Sequence, residues 1–461
     1  MIQQETFEST LAHVNTHSRP SELRITDIRF ADIVGAPMHC SLIKVYTNQG
    51  LVGFGEVRDG ADKLYALQLK SRLLGENPCQ IDKLFRRIKQ FGGHARQGGG
   101  VSGIEIALWD LAGKAYGIPI YQMLGGKFRD RIRMYCDTDV DGKNTGLAMG
   151  QALKKRMDKG FTFLKMDLGL GILAGEPGTV SAPLGFMEEL RDVSQRWRNR
   201  ASAGLSEQEI RELRSWMYDL YNIAHPFTGI HITEKGLDVL EQYVADVRSV
   251  VGYEVPIAID HFGHIGVEDC IKLGRRIDKY NLAWMEDMIP WQYTEQYVRL
   301  ANAVTTPICT GEDIYLKENF RPLIESGGVS VIHPDVLSTG GILETKKIGD
   351  MAQDHGVAMA IHMAESPIAC LAAVHVAAAT ENFLALEFHS NDVDWWDDII
   401  ISKLPKPLLQ NGYIAVPDAP GLGIEELNDE VIAQHLHPAI PGLWEETEQW
   451  NHFYSNDRLW S

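Results

Sequence analysis

Over residues 23–57 apolar and polar positions alternate with the period of a strand, in "LRITDIRFADI" and then in "SLIKVYTNQGLVGFGEV", where Asn-Gln-Gly supplies the turn of a hairpin. The period lengthens to that of a helix from about Leu64 to Phe91 and again in "GIEIALWDLAGKAYG". The first part of the chain, 20–135, is therefore expected to be an α+β unit. From about residue 131 the texture changes, and short apolar runs recur between amphipathic stretches: "RIRMYCDT", "FTFLKMDLG", "VPIAIDH", "LAWMED", "TPICTGED", "VSVIHPD", "VAMAIHMAE" and "FLALEFH". Eight such strands joined by crossover helices predict an α/β fold, a parallel sheet closed into a barrel over 136–405.

Nearly every one of these runs stops in a polar or charged group. In "VPIAIDHFGHIG", residues 255–266, an apolar strand ends in Asp260 with His261 and His264 just behind it. A buried strand has no use for such groups unless a metal ion or a reacting substrate offsets their desolvation. The carboxyl ends of parallel barrel strands converge on one face, so Lys165, Asp260, Glu286, Glu312, Asp335, His362 and Glu387 are predicted to meet there. One carboxylate at a strand end is explained well enough as the cap of the next helix. A polar end on strand after strand is not. Asp260, Glu286 and Glu312 follow one another at intervals of 26 residues, about one strand-helix unit, which puts them on successive strands. Three carboxylates suit a hard cation, Mg²⁺ with Mn²⁺ as a substitute, whereas zinc prefers His and Cys.

Composition narrows the class. A chain of 461 residues suits one large barrel with a smaller companion, and 44% hydrophobic with 23% charged residues and no apolar run long enough to span a bilayer describes a soluble protein. The start, "MIQQETFESTLAHVNTHSRP", lacks the apolar stretch of a signal peptide, so a cytoplasmic location is expected. A formal charge of −18 argues against nucleic acid and membranes as partners. The six cysteines have no CxxC spacing and read as reduced, mostly buried thiols without chemistry.

The strings "KMD", "AID", "MED", "GED", "HPD…GGI", "AIHMAE" and "LEFH", in that order, resemble the enolase superfamily in its mandelate racemase subgroup. "SGIEIALWDLAGKAYGIPIYQMLGG" resembles that family's entry into the barrel, and "VPDAPGLGIE" its ending. The resemblance runs from about residue 23 to 425. It implies a modified TIM barrel, (β/α)7β, with an α+β capping domain built from the N-terminal part and from 406–461. By the same resemblance Asp260, Glu286 and Glu312 would hold Mg²⁺ and Lys165 would lie near a substrate carboxylate. Asp335 would orient His362 and raise its basicity, making His362 the base that removes the proton α to the carboxylate, while Glu387 would hydrogen-bond the other carboxylate oxygen. A homo-oligomer is also implied.

Two departures from the family pattern set the expected reaction. Racemases and lactonizing enzymes of this design carry Lys-X-Lys on the second strand, but here Lys165 is followed by Met166 and Asp167. With one base the chain is expected to dehydrate an acid sugar by losing the β-hydroxyl, giving a 2-keto-3-deoxy acid. Some relatives place an acid histidine two residues past the first metal ligand. That position is Phe262 here, so His264 is the candidate acid and His261 a weaker one, unless His362 returns its own proton in a syn elimination. The alternatives are a racemase, epimerase or cycloisomerase on the same site, and a binding protein that keeps the fold without the reaction.

The second departure is an insertion around 170–250, with "LGILAGEPGTVSAPLG" expected as loop and "SEQEIRELRSWMYDLYNIAH" as an amphipathic helix, serving as a lid, a subunit contact or a surface decoration. "GGHARQGGG", 92–100, reads as a flexible turn. The aromatic C-terminal segment is expected to dock on the small domain or on a neighbouring subunit, and substrate-selecting residues are expected near 32–40 and 57–65.

Overall fold

The computed structural model describes residues 18–140, 143–173, 176–200, 203–223, 230–260 and 265–454. They fall into two compact units, one made of the described parts of Met1–Cys136, Gly311–Ile324 and Ile332–Ser461, the other of Asp137–Thr310 and Glu325–Val331.

In the first unit an antiparallel sheet is formed by β1 (Ile25–Val34), β2 (His39–Thr47) and β3 (Val52–Val57), with the predicted turn joining β2 to β3. The helix Gly99–Tyr116 crosses it and is buried almost all round, as its apolar sequence requires. It ends at Gly117 in the left-handed conformation, with Ile118 N–H donating back to Gly113 and Pro119 preventing continuation. Helix and sheet touch backbone to backbone. A Cβ on Gly55 would stand 2.1 Å from the Gly103 carbonyl oxygen, and one on Gly103 would stand 2.1 Å from that of Glu56. Alanine in a helix normally outscores glycine by about 0.5–1 kcal/mol. Here the sign reverses: Gly103→Ala is expected to lower stability by about 1–3 kcal/mol through forced separation of the two elements, measured by chemical denaturation. A stabilised variant would show that the contact yields.

The long helical stretch expected over 64–91 is instead broken into single turns at Leu64–Leu67 and Lys70–Leu73 and a helix at Ile81–Ile88, because "GENP" at 75–78 interrupts it. The "GGHARQGGG" segment is no flexible turn. Its last three glycines are buried, the final two open the Gly99–Tyr116 helix, and a Cβ on Gly99 would strike the Arg58 backbone nitrogen at 2.6 Å. The C-terminal segment lies along β1: Leu443 bridges Ala31, Leu436 bridges Ile33, and Thr447 Oγ1 donates to the Ile28 carbonyl across 419 residues of sequence.

All eight barrel-type strands are present: β4 (Arg131–Cys136), β5 (Leu164–Asp167), β6 (Ile257–Asp260), β7 (Met285–Glu286), β8 (Ile308–Thr310), β9 (Val331–Ile332), β10 (Ala358–Ile361) and β11 (Phe383–Phe388). In the first unit β10, β11 and β4 run parallel in that order. In the second β5, β6, β7 and β8 do the same. The insertion in this second unit carries the helices Phe186–Arg198 and Glu207–Ile223, which share a small core of Phe186, Met187, Val193, Leu213 and Leu220. A capping box starts the second of them, with Ser206 and Glu209 bonding to each other's backbone N–H. Among the described residues no helix is long and apolar enough to cross a membrane.

Candidate active site

In the second unit Lys165 on β5 sits beside the end of β6. Its Nζ lies 2.5 Å from Asp260 Oδ2 and 3.0 Å from Glu286 Oε1, all three residues being buried. Trp284 Nε1 donates to the other oxygen of Glu286 at 2.7 Å, fixing the carboxylate plane. Asp287, which the sequence reading passed over, adopts a positive φ of 46° and accepts a hydrogen bond from Thr310 Oγ1 at 2.5 Å. Oxygens of Asp260, Glu286 and Asp287 lie within 4.8 Å of one another. Three carboxylates, two of them paired with Lys165, form an all-oxygen set that fits a hard divalent cation.

The other expected site residues gather in the first unit. Asp335 and His362 meet through a parallel bridge, and Asp335 Oδ2 is 2.6 Å from His362 Nδ1. His362 Nε2 faces Glu312 Oε2 at 3.2 Å and Glu387 Oε2 at 4.0 Å. Tyr135 OH donates to the same Glu387 oxygen at 3.1 Å and contacts His333 Nε2 on its other side. His389 Nε2 lies 3.2 Å from Glu387 Oε1.

Arg58, just past β3, is the organising cation of this half and was missed in the sequence. It is fully buried; one guanidinium nitrogen bonds Asp335 and also reaches Glu365 at 2.7 Å, Asp59 at 3.1 Å and His362 Nδ1 at 3.0 Å, while the other lies 3.6 Å from Glu312. Burial drives the Asp335 and Glu365 carboxyls up, and Arg58 pulls both back. Burial, followed by the Arg58 charge, holds the His362 imidazole well below its ordinary value. The expectation that Asp335 raises the basicity of His362 is therefore offset in the free protein, where Arg58 shares the carboxylate. The consequence suits a base, since His362 is unprotonated at neutral pH and ready to accept.

Thus Lys165, Asp260 and Glu286 are brought together in one unit, and Glu312, Asp335, His362 and Glu387 in the other. His264, with His261 and Phe262, lies outside the described residues. Tyr135, His333, Glu365 and His389 sat inside the quoted strand strings, and their spacing was a usable signal: His389 is two residues past Glu387, His333 two before Asp335.

Residues 7–125 match the model of the mandelate racemase/muconate lactonizing enzyme N-terminal domain, and 216–431 the enolase C-terminal domain-like model. A D-xylonate dehydratase of Haloferax volcanii is 31% identical over 93% of this chain and 92% of its own length. The chain belongs to the enolase superfamily. A D-galactonate dehydratase of Verminephrobacter eiseniae is 27% identical over 86% of this chain and 91% of its own length. The crystal structure of a mandelate racemase/muconate lactonizing enzyme-like protein from Rubrobacter xylanophilus superposes with a TM-score of 0.73 at 28% identity, over 91% of this chain and 99% of that one. As in the rest of this superfamily, the fold is a modified TIM barrel with an N-terminal α+β capping part.

Proposed function

We propose that this enolase-superfamily member is an acid-sugar dehydratase, a hydro-lyase that removes the proton α to a carboxylate and expels the β-hydroxyl to give a 2-keto-3-deoxy acid. The observation that carries the reading is the buried His362, held through Nδ1 by Asp335 at 2.6 Å. A base placed in this way is of no use to a binding protein. The dehydratase names of two relatives support the same choice of reaction.

His362 Nε2 takes the α-proton, and Asp335 and Arg58 fix the ring through Nδ1. Glu387, steadied by Tyr135, is the partner for a substrate carboxylate oxygen, and Lys165 supplies a cation beside Asp260 and Glu286. Asp260, Glu286 and Glu312 are the proposed Mg²⁺ ligands, and the ion would supply the fixed positive charge that an enediolate needs. Asp167 replaces the second lysine of racemases, so no base of that kind stands ready to reprotonate the opposite face.

The test is a panel of aldonates, xylonate and galactonate included, assayed with Mg²⁺ for 2-keto acid. Turnover in D₂O should leave deuterium at C3, chelation should abolish it and Mg²⁺ should restore it. Inversion at C2 without keto acid would favour the racemase or epimerase reading. Full activity after chelation would overturn the metal assignment.

A further inference from the structure

Elimination of water needs an acid as well as a base, and a second imidazole stands beside the first. His389 follows Glu387 by two residues at the end of β11, so the alternation of the strand turns both side chains to one side. Its Nε2 is 3.2 Å from Glu387 Oε1, while Glu387 Oε2 is 4.0 Å from Nε2 of His362. The two rings lie 5.9 Å apart, centre to centre. Glu387 therefore stands between two imidazoles, with one oxygen toward each. The His389 side chain is 14% exposed against 7% for His362, so it is at least as open to a substrate as the base is.

We propose that His389 is the general acid of the elimination, the group that protonates the departing β-hydroxyl; this rests on the dehydratase reading above. His362 takes the α-proton, the C–H electron pair becomes the new C=C bond, the β-C–O bond breaks, and a proton from His389 turns the leaving oxygen into water. A histidine ring that holds a proton is a competent donor to a leaving hydroxyl. After the step His362 holds one proton more and His389 one fewer. Once product has left, proton exchange with solvent resets both rings. Were His389 only a core histidine satisfied by Glu387, asparagine or glutamine would replace it without loss of turnover.

The experiment compares two leaving groups on the full chain with Mg²⁺: the β-hydroxyl of the acid sugar that the wild type turns over, and the fluoride of its β-fluoro analogue, which departs as an anion and needs no proton. His389→Asn and His389→Gln are both made, so that a folding defect in one does not decide the outcome. The expected result is a loss of about 10²-fold or more in kcat for water, with fluoride release within a few-fold of wild type; His362→Asn should lose both. An equal loss on both leaving groups would make His389 a positioning residue and overturn the proposal. Unchanged water elimination, or a loss confined to water that appears in His264→Asn instead, would do the same. A wild type that yields no keto acid from any acid sugar overturns the dehydratase reading, and this proposal with it. Normal wild-type turnover beside unaffected His389 variants overturns the proposal alone.

Discussion

His362→Asn is expected to lower kcat by about 10²–10⁴-fold, the usual worth of a positioned general base, and to stop exchange of the α-proton with D₂O. Asparagine keeps a polar atom near Asp335 and Arg58 but has no nitrogen that accepts a proton at neutral pH. The buried charges stay paired, because Asp335 still has Arg58 and Leu337 N–H as partners. The variant should therefore melt close to the wild type while losing the reaction. Proton exchange by NMR and a thermal scan read the two parts separately. Exchange surviving within tenfold of wild type would place the base elsewhere.

Arg58→Ala is expected to cost both stability and activity. It leaves Asp335 and Glu365, each fully buried, facing one another without the cation that now bonds both. Removing one partner of a buried ion pair typically destabilises by about 3–5 kcal/mol. The pH dependence has a definite sign. Burial already raises both carboxyls in the folded protein; without Arg58 they rise further, so the folded state holds protons that the unfolded chain has released. Stability then falls as pH climbs from the ordinary carboxylate range toward the raised values. The deficit of Arg58→Ala should be largest at neutral pH and shrink as the solution is acidified, in denaturant titrations at a series of pH values. A deficit that does not vary with pH would mean that lost packing, and not the unpaired charge, dominates. Arg58→Lys keeps the charge but offers one compact ammonium where a fork reaches Asp335, Glu365 and Glu312, so it should recover stability more than turnover.

What could be read in advance follows from how local each signal is. The eight strands announced themselves because a buried parallel strand needs a continuous apolar run, and each run carried its chemistry at its own end; Asp260 and Glu286 are visible in six letters of sequence each. Arg58 gave no such sign. "EVRDG" reads as any charged loop, and the acids that explain it lie 277 and 307 residues further on. Glycine-rich 92–100 misled for a related reason, since glycine marks both loose chain and the closest backbone approach, and only the neighbour tells which. The Leu64–Phe91 stretch kept a helical period across "GENP", and the breakers outweighed the period. The capping box at Ser206 was legible in its four letters and starts its helix where they stand.

The strand β1 has its outer neighbour supplied by the far end of the chain: Val34 N–H donates to the His435 carbonyl, Trp444 N–H to that of Phe30, and Lys70 Nζ to Thr447. During synthesis these partners leave the ribosome long after β1, which they follow by about 400 residues. Until then the outer edge of β1 is an open row of backbone donors and acceptors, the kind of edge on which foreign strands pair. At about 5–20 residues per second, that edge stays open for tens of seconds, and no folding of the N-terminal sheet, however fast, can close it sooner. The capping sheet is begun long before it can be finished, which makes the nascent chain, and not the mature enzyme, the form most exposed to misassembly.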